Sequence, residues 1–391
     1  MMTDQADAPT ALQVDALLEA ARRQAGLENF GPNWILEPLG VYVHSLTTEA
    51  RLQGDGAAHR AAIIVRGLVN RLRMFEAIRL HPDILQEDLK VLATIVGLPR
   101  TGSTMFQRIL ASIPGINGTR WWELQNFAPF PGEVSGQPTG RIQFAEKMVA
   151  DWLAAAPEFA AIHPLSATQV DEESILLHHM FCGALEFTAP IPSYVEWQNS
   201  TDFRGAYAAL RTTLQFLHWQ QPSRRGKPWV LKAPEHMLAT EALLTTFPDC
   251  KVVVTHRNPV QVIPSLCSMY HSLHRLTMPE PDRLKIGQGC RRRWAPALER
   301  FTALRARIGD DRFIDIGYRD LVKDPVGVAR ATLAALGMTL NAQGEAAINL
   351  WLEENSRDQR ASHDYTAEEF GLAEGQLEND FASYIRRFVT P

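Results

Sequence analysis

The sequence predicts a three-layer α/β fold, with a central parallel sheet between helices and an N-terminal helical addition, and three observations lead there. An apolar run, Val91-Leu-Ala-Thr-Ile-Val96, passes through a glycine-bounded loop directly into an amphipathic helix. From Trp229 onward short apolar strands alternate with helical stretches, the pattern of parallel strands joined by crossover helices. The first 90 residues carry helical periodicity and no strand candidate. The expected division is therefore a helical region over 1–90 and an α/β domain over 91–391 of the 391-residue chain.

In chain order, Thr10 caps a first helix that carries Leu12, Val14, Leu17, Leu18 and Ala21, with Gly26 just past its end. A second, from about Ala58 to Leu80, has Ile64, Leu68, Leu72 and Phe75 at spacings of three and four, and Pro82 closes it. After the strand at Val91 and its loop and helix, prolines and glycines break any period between Pro114 and Gly140. Trp121, Trp122, Phe127 and Phe130 in that segment are either a substrate wall or core packing. Helices are expected over Ile142 to Ala155, Asp171 to Cys182 and Phe203 to Gln220. Then come a strand at Trp229 to Lys232, a helix with Leu238, Leu243 and Phe247, a strand at Lys251 to Thr255 and a helix through Met269. A helix from Arg293 to Ile308, a strand at Phe313 to Ile316 and a helix from Pro325 to Leu336, capped by Gly337, complete the series.

Charge narrows the partners. Lys plus Arg total 39 against 44 Asp plus Glu, a net charge of −5 that gives no reason to expect nucleic acid or an anionic membrane surface. Cys182, Cys250, Cys267 and Cys290 are scattered without a paired spacing, which fits neither a disulfide framework nor a zinc site and points to reduced thiols in the cytoplasm. The N-terminus lacks the basic lead and apolar core of a signal peptide, and no run reaches the roughly 18 apolar residues of a membrane span.

The chemistry gathers at the carboxyl ends of predicted strands, where open α/β sheets bind ligands. Gly97-Leu-Pro-Arg-Thr-Gly102-Ser-Thr104 fits the phosphate loop G-x-x-x-x-G-K-[ST] of P-loop NTPase-like folds, except that Ser103 stands in place of the lysine. That lysine reaches the outer phosphates of a triphosphate, so its absence argues against ATP or GTP hydrolysis while leaving a backbone cradle for an anion. Arg257 follows the strand at Lys251, with Ser265 eight residues on; a guanidinium fork and a hydroxyl there make a second phosphate site. Lys232-Ala-Pro-Glu-His236 follows the strand at Trp229. Two anion sites without the triphosphate lysine point to a nucleotide phosphorylated at two places.

The loop at Gly97 resembles the 5′-phosphosulfate loop of PAPS-dependent sulfotransferases, and Arg257-Asn-Pro with Ser265 resembles their 3′-phosphate motif. Trp229 to His236, Tyr318 to Pro325, His163-Pro-Leu ahead of Asp171-Glu-Glu, and Tyr365 to Leu372 are similar to the bacterial, actinobacterial-type branch. The resemblance runs from about Val91 to Phe388; Ser103 replaces a threonine, and Arg100 the lysine of animal cytosolic enzymes. It implies that Arg100, Thr101, Gly102, Ser103 and Thr104 hold the 5′-phosphosulfate of PAPS, Arg257 and Ser265 its 3′-phosphate, and Tyr318 the adenine side. PAPS would leave as PAP.

Sulfuryl transfer is an in-line displacement with a loose transition state, for which Arg100 and Lys232 are the candidate cations and no metal is expected. The base that takes the proton of an acceptor hydroxyl or amine has five candidates: Glu173, toward which the resemblance leans, then Glu172, Glu123, His163 and His236. Acids opening a helix at Asp171-Glu172-Glu173 equally suit a capping role. His178 and His179 are assigned no chemistry. The expected function is transfer to a small, apolar acceptor; a P-loop kinase of a small metabolite and a non-catalytic nucleotide-binding regulator are the alternatives.

Overall fold

The computed structural model describes residues 12–278, 280–355 and 365–389, so the expected cap at Thr10 lies outside the described residues. Four parallel strands, β1 (Val91–Val96), β2 (Trp229–Lys232), β3 (Lys251–His256) and β4 (Phe313–Gly317), form a sheet in the order β2-β1-β3-β4. Ala93 to Val96 align with Lys251 to Val254, and Val252 to His256 with Phe313 to Gly317.

The central strands are apolar on both faces because both faces are covered. Along β3, Val252 and Val254 pack with Leu266, Trp294 and Leu298 of the helices Pro259–His274 and Arg283–Ile308. Val253, between them, joins Phe106, Ile109 and Leu333 of the helices Ser103–Ser112 and Pro325–Ala335 on the other side. The N-terminal helices Val14–Ala25, Leu36–Thr48 and Gly56–Leu80 bury Leu17, Leu39 and Leu68 in one cluster with Trp229 and Leu231 of the edge strand β2.

Several elements differ from the sequence reading. The stretch expected to be helical from Asp171 to Cys182 is regular only over Ser174–His179: Asp171 and Glu172 spend their side chains on other elements, and Phe181 takes a left-handed φ of 56° that stops the helix. The helix at Leu36–Thr48 escaped notice because of Pro38, which falls in its first turn, where proline is tolerated. The helix ending at Ile308 begins at Arg283 and runs through Pro296. Trp121 and Trp122 are buried against Ala145 and Ala167, and Arg141 lies 4.8 Å over the Trp122 ring, so these two pack in the core and form no wall. Among the described residues, no helix is long and apolar enough to cross a membrane.

Candidate active site

The loop after β1 is shaped by what it must approach. At Gly97 (φ 141°) an added Cβ would lie 2.6 Å from the Thr255 carbonyl oxygen, and at Gly102 (φ 83°) 3.2 Å from the Tyr318 ring and from Leu321. Both positions need glycine for conformation and for space. The buried Thr101 hydroxyl donates to the Leu98 carbonyl at 2.7 Å and lies 2.6 Å from the Thr255 hydroxyl, bolting the loop to the end of β3. Gly102 caps the helix Ser103–Ser112 without a side chain, which leaves the first helical amides for an anion.

Beside the loop, Arg100, Arg257 and Ser265 converge. Arg257 donates to the Arg100 carbonyl at 3.0 Å, its guanidinium lies 4.4 Å over the Tyr318 ring, and its buried Nε has no partner. Arg100, itself at a positive φ of 72°, donates from Nε to the Ser265 hydroxyl at 3.2 Å and from Nη1 to the Ile162 carbonyl at 2.5 Å. Burial lowers the Arg100 pKa and the neighbouring Arg257 adds to the effect, while Tyr365, Tyr318 and Glu172 oppose it. Two crowded guanidiniums and an orphaned donor suit a dianion. Arg100, expected to face the 5′ group, thus directs its side chain to the Ser265 side.

The acids lie on the other side of the loop. The Thr104 hydroxyl donates to Glu172 Oε1 at 2.7 Å, and the Lys232 ammonium pairs with the same oxygen. Glu173, next in sequence, is fully buried with both oxygens engaged: one accepts from the Lys232 amide at 2.9 Å, the other from His236 Nε2 at 2.6 Å. The Tyr207 hydroxyl stands 2.7 Å from His236 Nδ1, and burial raises the Tyr207 pKa well above that of an ordinary phenol, so it stays protonated. Glu173, toward which the resemblance leans as base, is thus enclosed by its partners. Glu172, with its side chain 16% exposed, is the carboxylate of this pair that solvent reaches.

Three other candidates are tied up structurally. Glu123 is fully buried and accepts from Arg224 at 2.7 and 2.8 Å, from Gln221 at 2.9 Å and from the Arg120 amide at 2.8 Å. His236 is sealed between Glu173 and Tyr207. His163 is half-buried and binds Asp171 at 3.1 Å, where Arg108 also donates at 3.1 Å. Burial pushes the Asp171 carboxyl up, but His163, Arg108 and the Glu172 amide outweigh it and hold it below the carboxylate range. His163, Asp171 and Glu172 place one ligand-type atom each within 4.8 Å of one another, with Arg108 and Lys232 already balancing their charge.

The sequence reading missed the pairing that knits this side together. The segment 172–178 and the segment 232–236 exchange partners three times: Glu172 with Lys232, Glu173 with His236, and His178 with Glu235 at 3.2 Å. The repeated acid and histidine pattern of the two segments was the only signal. His179, beside His178, is a packing residue that bonds the Leu124 carbonyl at 2.9 Å, and burial lowers its pKa to about 3.

Fold and site together define a P-loop-type α/β protein with cations gathered at two places along the carboxyl edge of its sheet. The sulfotransferase family model matches residues 93–342, well over half of the sequence, and the chain belongs to the sulfotransferase family. The structure is similar to sulfotransferase STF9 from Mycobacterium avium, with a TM-score of 0.86 and 25% identity over 98% of each chain. It is also similar to sulfotransferase STF1 from Mycobacterium tuberculosis H37Rv, with a TM-score of 0.83 and 27% identity, covering 96% of this chain and 99% of that one. Among curated proteins, omega-hydroxy-beta-dihydromenaquinone-9 sulfotransferase Stf3 from Mycobacterium bovis is 28% identical over 129 residues, a stretch that spans 33% of this chain and 33% of that protein's length.

Proposed function

We propose that this protein is an enzyme that moves a sulfuryl group from PAPS to a hydroxyl or amine of a small, apolar acceptor and releases PAP. The observation that carries the reading is the joint Thr104, Glu172 and Lys232 constellation on one side of the loop, with Arg100, Arg257 and Ser265 on the other. PAPS, when bound, supplies a sulfuryl group on its 5′-phosphate and a separate 3′-phosphate. The backbone amides of Thr101 to Thr104 would hold the 5′ end. Arg257, Ser265 and Arg100 would hold the 3′-phosphate, with Tyr318, stacked under Arg257, on the adenine side.

Glu172 is the base in this scheme. Lys232, buried at its side, pairs with the carboxylate and places a positive charge where charge develops during transfer. Glu173, Glu235 and His236 fix the strand end and the turn that carry Lys232, so they are positioning residues. The omega-hydroxyl in the name of the Mycobacterium bovis relative supports an apolar acceptor with a hydroxyl. The four cysteines, all free and buried, support a reducing compartment such as the cytoplasm.

Calorimetry tests the nucleotide assignment. The protein is expected to bind PAP tightly without a divalent cation and to bind ATP·Mg²⁺ weakly; tight ATP·Mg²⁺ binding with none to PAP overturns it in favour of a kinase.

A further inference from the structure

Two neighbouring strands end together on the nucleotide side of the loop. His256, the last residue of β3, is in register with Gly317, the last of β4, and the residues that follow them, Arg257 and Tyr318, form the stack of guanidinium on ring. Arg257 is a single residue between two anchors. On its far side the Asn258 side chain accepts from the Val260 amide at 3.0 Å and caps the helix Pro259–His274. On its near side is His256, buried and so far without a role.

The His256 ring is held at both nitrogens and across one face. Nε2 lies 2.8 Å from Asp315 Oδ1, Nδ1 lies 2.8 Å from the Tyr384 hydroxyl, and the Phe388 ring stacks on it with centroids 4.7 Å apart at 10°. Asp315 stands two residues before Gly317, on the same sheet face as His256. Its side chain is 42% exposed, yet it is pinned: Arg305 donates to Oδ1 at 2.6 Å and to Oδ2 at 2.8 Å. Tyr384 and Phe388 share one face of the C-terminal helix Ala382–Phe388, four residues apart. Tyr384 is 128 residues from His256 in the chain and packs in the same cluster as Val252 and Val254 of β3.

Two hydrogen bonds and a stack fix how the ring is turned, and with it the end of β3. Arg257 has use for that rigidity. One arm of its fork is committed to the Arg100 carbonyl and its buried Nε has no partner, so its reach toward a phosphate is set by where the strand end puts its Cα. A binding fork has to be held to within about 0.5 Å to make its bonds.

We propose that His256, braced by Asp315 and by Tyr384 and Phe388 of the C-terminal helix, is a positioning residue that sets Arg257 for the 3′-phosphate and thereby the preference for a nucleotide phosphorylated there. This rests on the sulfuryl-transfer reading, with PAP as the released nucleotide, and deepens it: the C-terminal helix becomes part of donor recognition without touching the donor.

Calorimetry with PAP and with adenosine 5′-monophosphate, which lacks the 3′-phosphate, reads the preference as a ratio of affinities. The unaltered chain is expected to favour PAP by at least about thirtyfold, the worth of the Arg257 contact. His256→Phe, which keeps a ring against Phe388 and loses both hydrogen bonds, should cut the ratio by about tenfold and leave the monophosphate Kd within about twofold. Tyr384→Phe, which removes one oxygen, should cut it by about threefold. In an Arg257→Ala background His256→Phe should change the ratio by less than about twofold, because the ring acts through that guanidinium alone. If His256→Phe shows no folded baseline in thermal melts, Tyr384→Phe decides. A ratio that survives in the variants, or an equal loss of both nucleotides as a merely structural role would give, overturns the proposal and leaves the sulfuryl-transfer reading standing. An unaltered chain that binds the two nucleotides equally overturns both.

Discussion

The two sides of the phosphate loop are built on different principles. The nucleotide side, from Gly97 to Thr104 with Arg257 and Ser265, is a backbone device: left-handed residues, a bare helix start and two guanidiniums pressed together with a donor to spare. The proposed acceptor side, from Asp171 to His178 against Lys232 to His236, is a side-chain device in which three carboxylates meet a lysine and two histidines. In the proposed reading the first side takes an anion and the second moves a proton. Removing a group from the first should therefore cost affinity, and from the second, rate.

The largest expected effect is on the acceptor side. Glu172→Gln should lower kcat about a thousandfold, as for loss of a general base, with PAP affinity within about twofold. A loss of PAP affinity instead would place Glu172 with the nucleotide and break the contrast. Next is Arg257→Ala, which should weaken PAP binding by about 2 to 3 kcal/mol in calorimetry, the worth of a charge-assisted hydrogen bond in a buried site, while kcat at saturation changes little. Glu173→Gln is smaller. It loosens the aim of Lys232 and should lower kcat by about tenfold without moving the PAP Kd.

The last effect concerns stability. Burial lowers the pKa of His179 to about 3 and that of His274 to about 4, against an ordinary value near 6.5. Both rings are neutral when folded and take up protons when unfolded. Stability should therefore fall as pH drops below about 6.5, by up to about 1.4 kcal/mol per pH unit for each histidine, until the folded pKa is reached. His274→Asn should flatten that slope by one histidine's share in thermal melts.

The same contrast explains what the sequence made legible. The loop, Arg257 and Ser265 follow their strands at fixed short spacings, so the motif, the strand and the outgoing helix identified one another. The sheet was legible because β1 and β3 are apolar on both faces, as only a covered parallel strand can be. The difference between the two acids was not legible. Glu172 and Glu173 are adjacent acids in the same local context, and what separates them is contact made about 60 residues away: Lys232 and Thr104 leave Glu172 partly exposed, while His236 and the Lys232 amide seal Glu173. Arg224 removed Glu123 from the candidates in the same way, through a contact about 100 residues distant. Pro38 hid the helix Leu36–Thr48, and Gly287 and Gly289 hid the start of the helix Arg283–Ile308.

The central claim is sulfuryl transfer by Glu172 and Lys232, and mass spectrometry of a metabolite extract incubated with PAPS and the protein tests it most directly. The account predicts a product heavier by one sulfuryl group, formed with PAP, present with the unaltered chain and greatly reduced with Glu172→Gln. PAPS left intact with no sulfated product, or a product that forms equally with the variant, would contradict it.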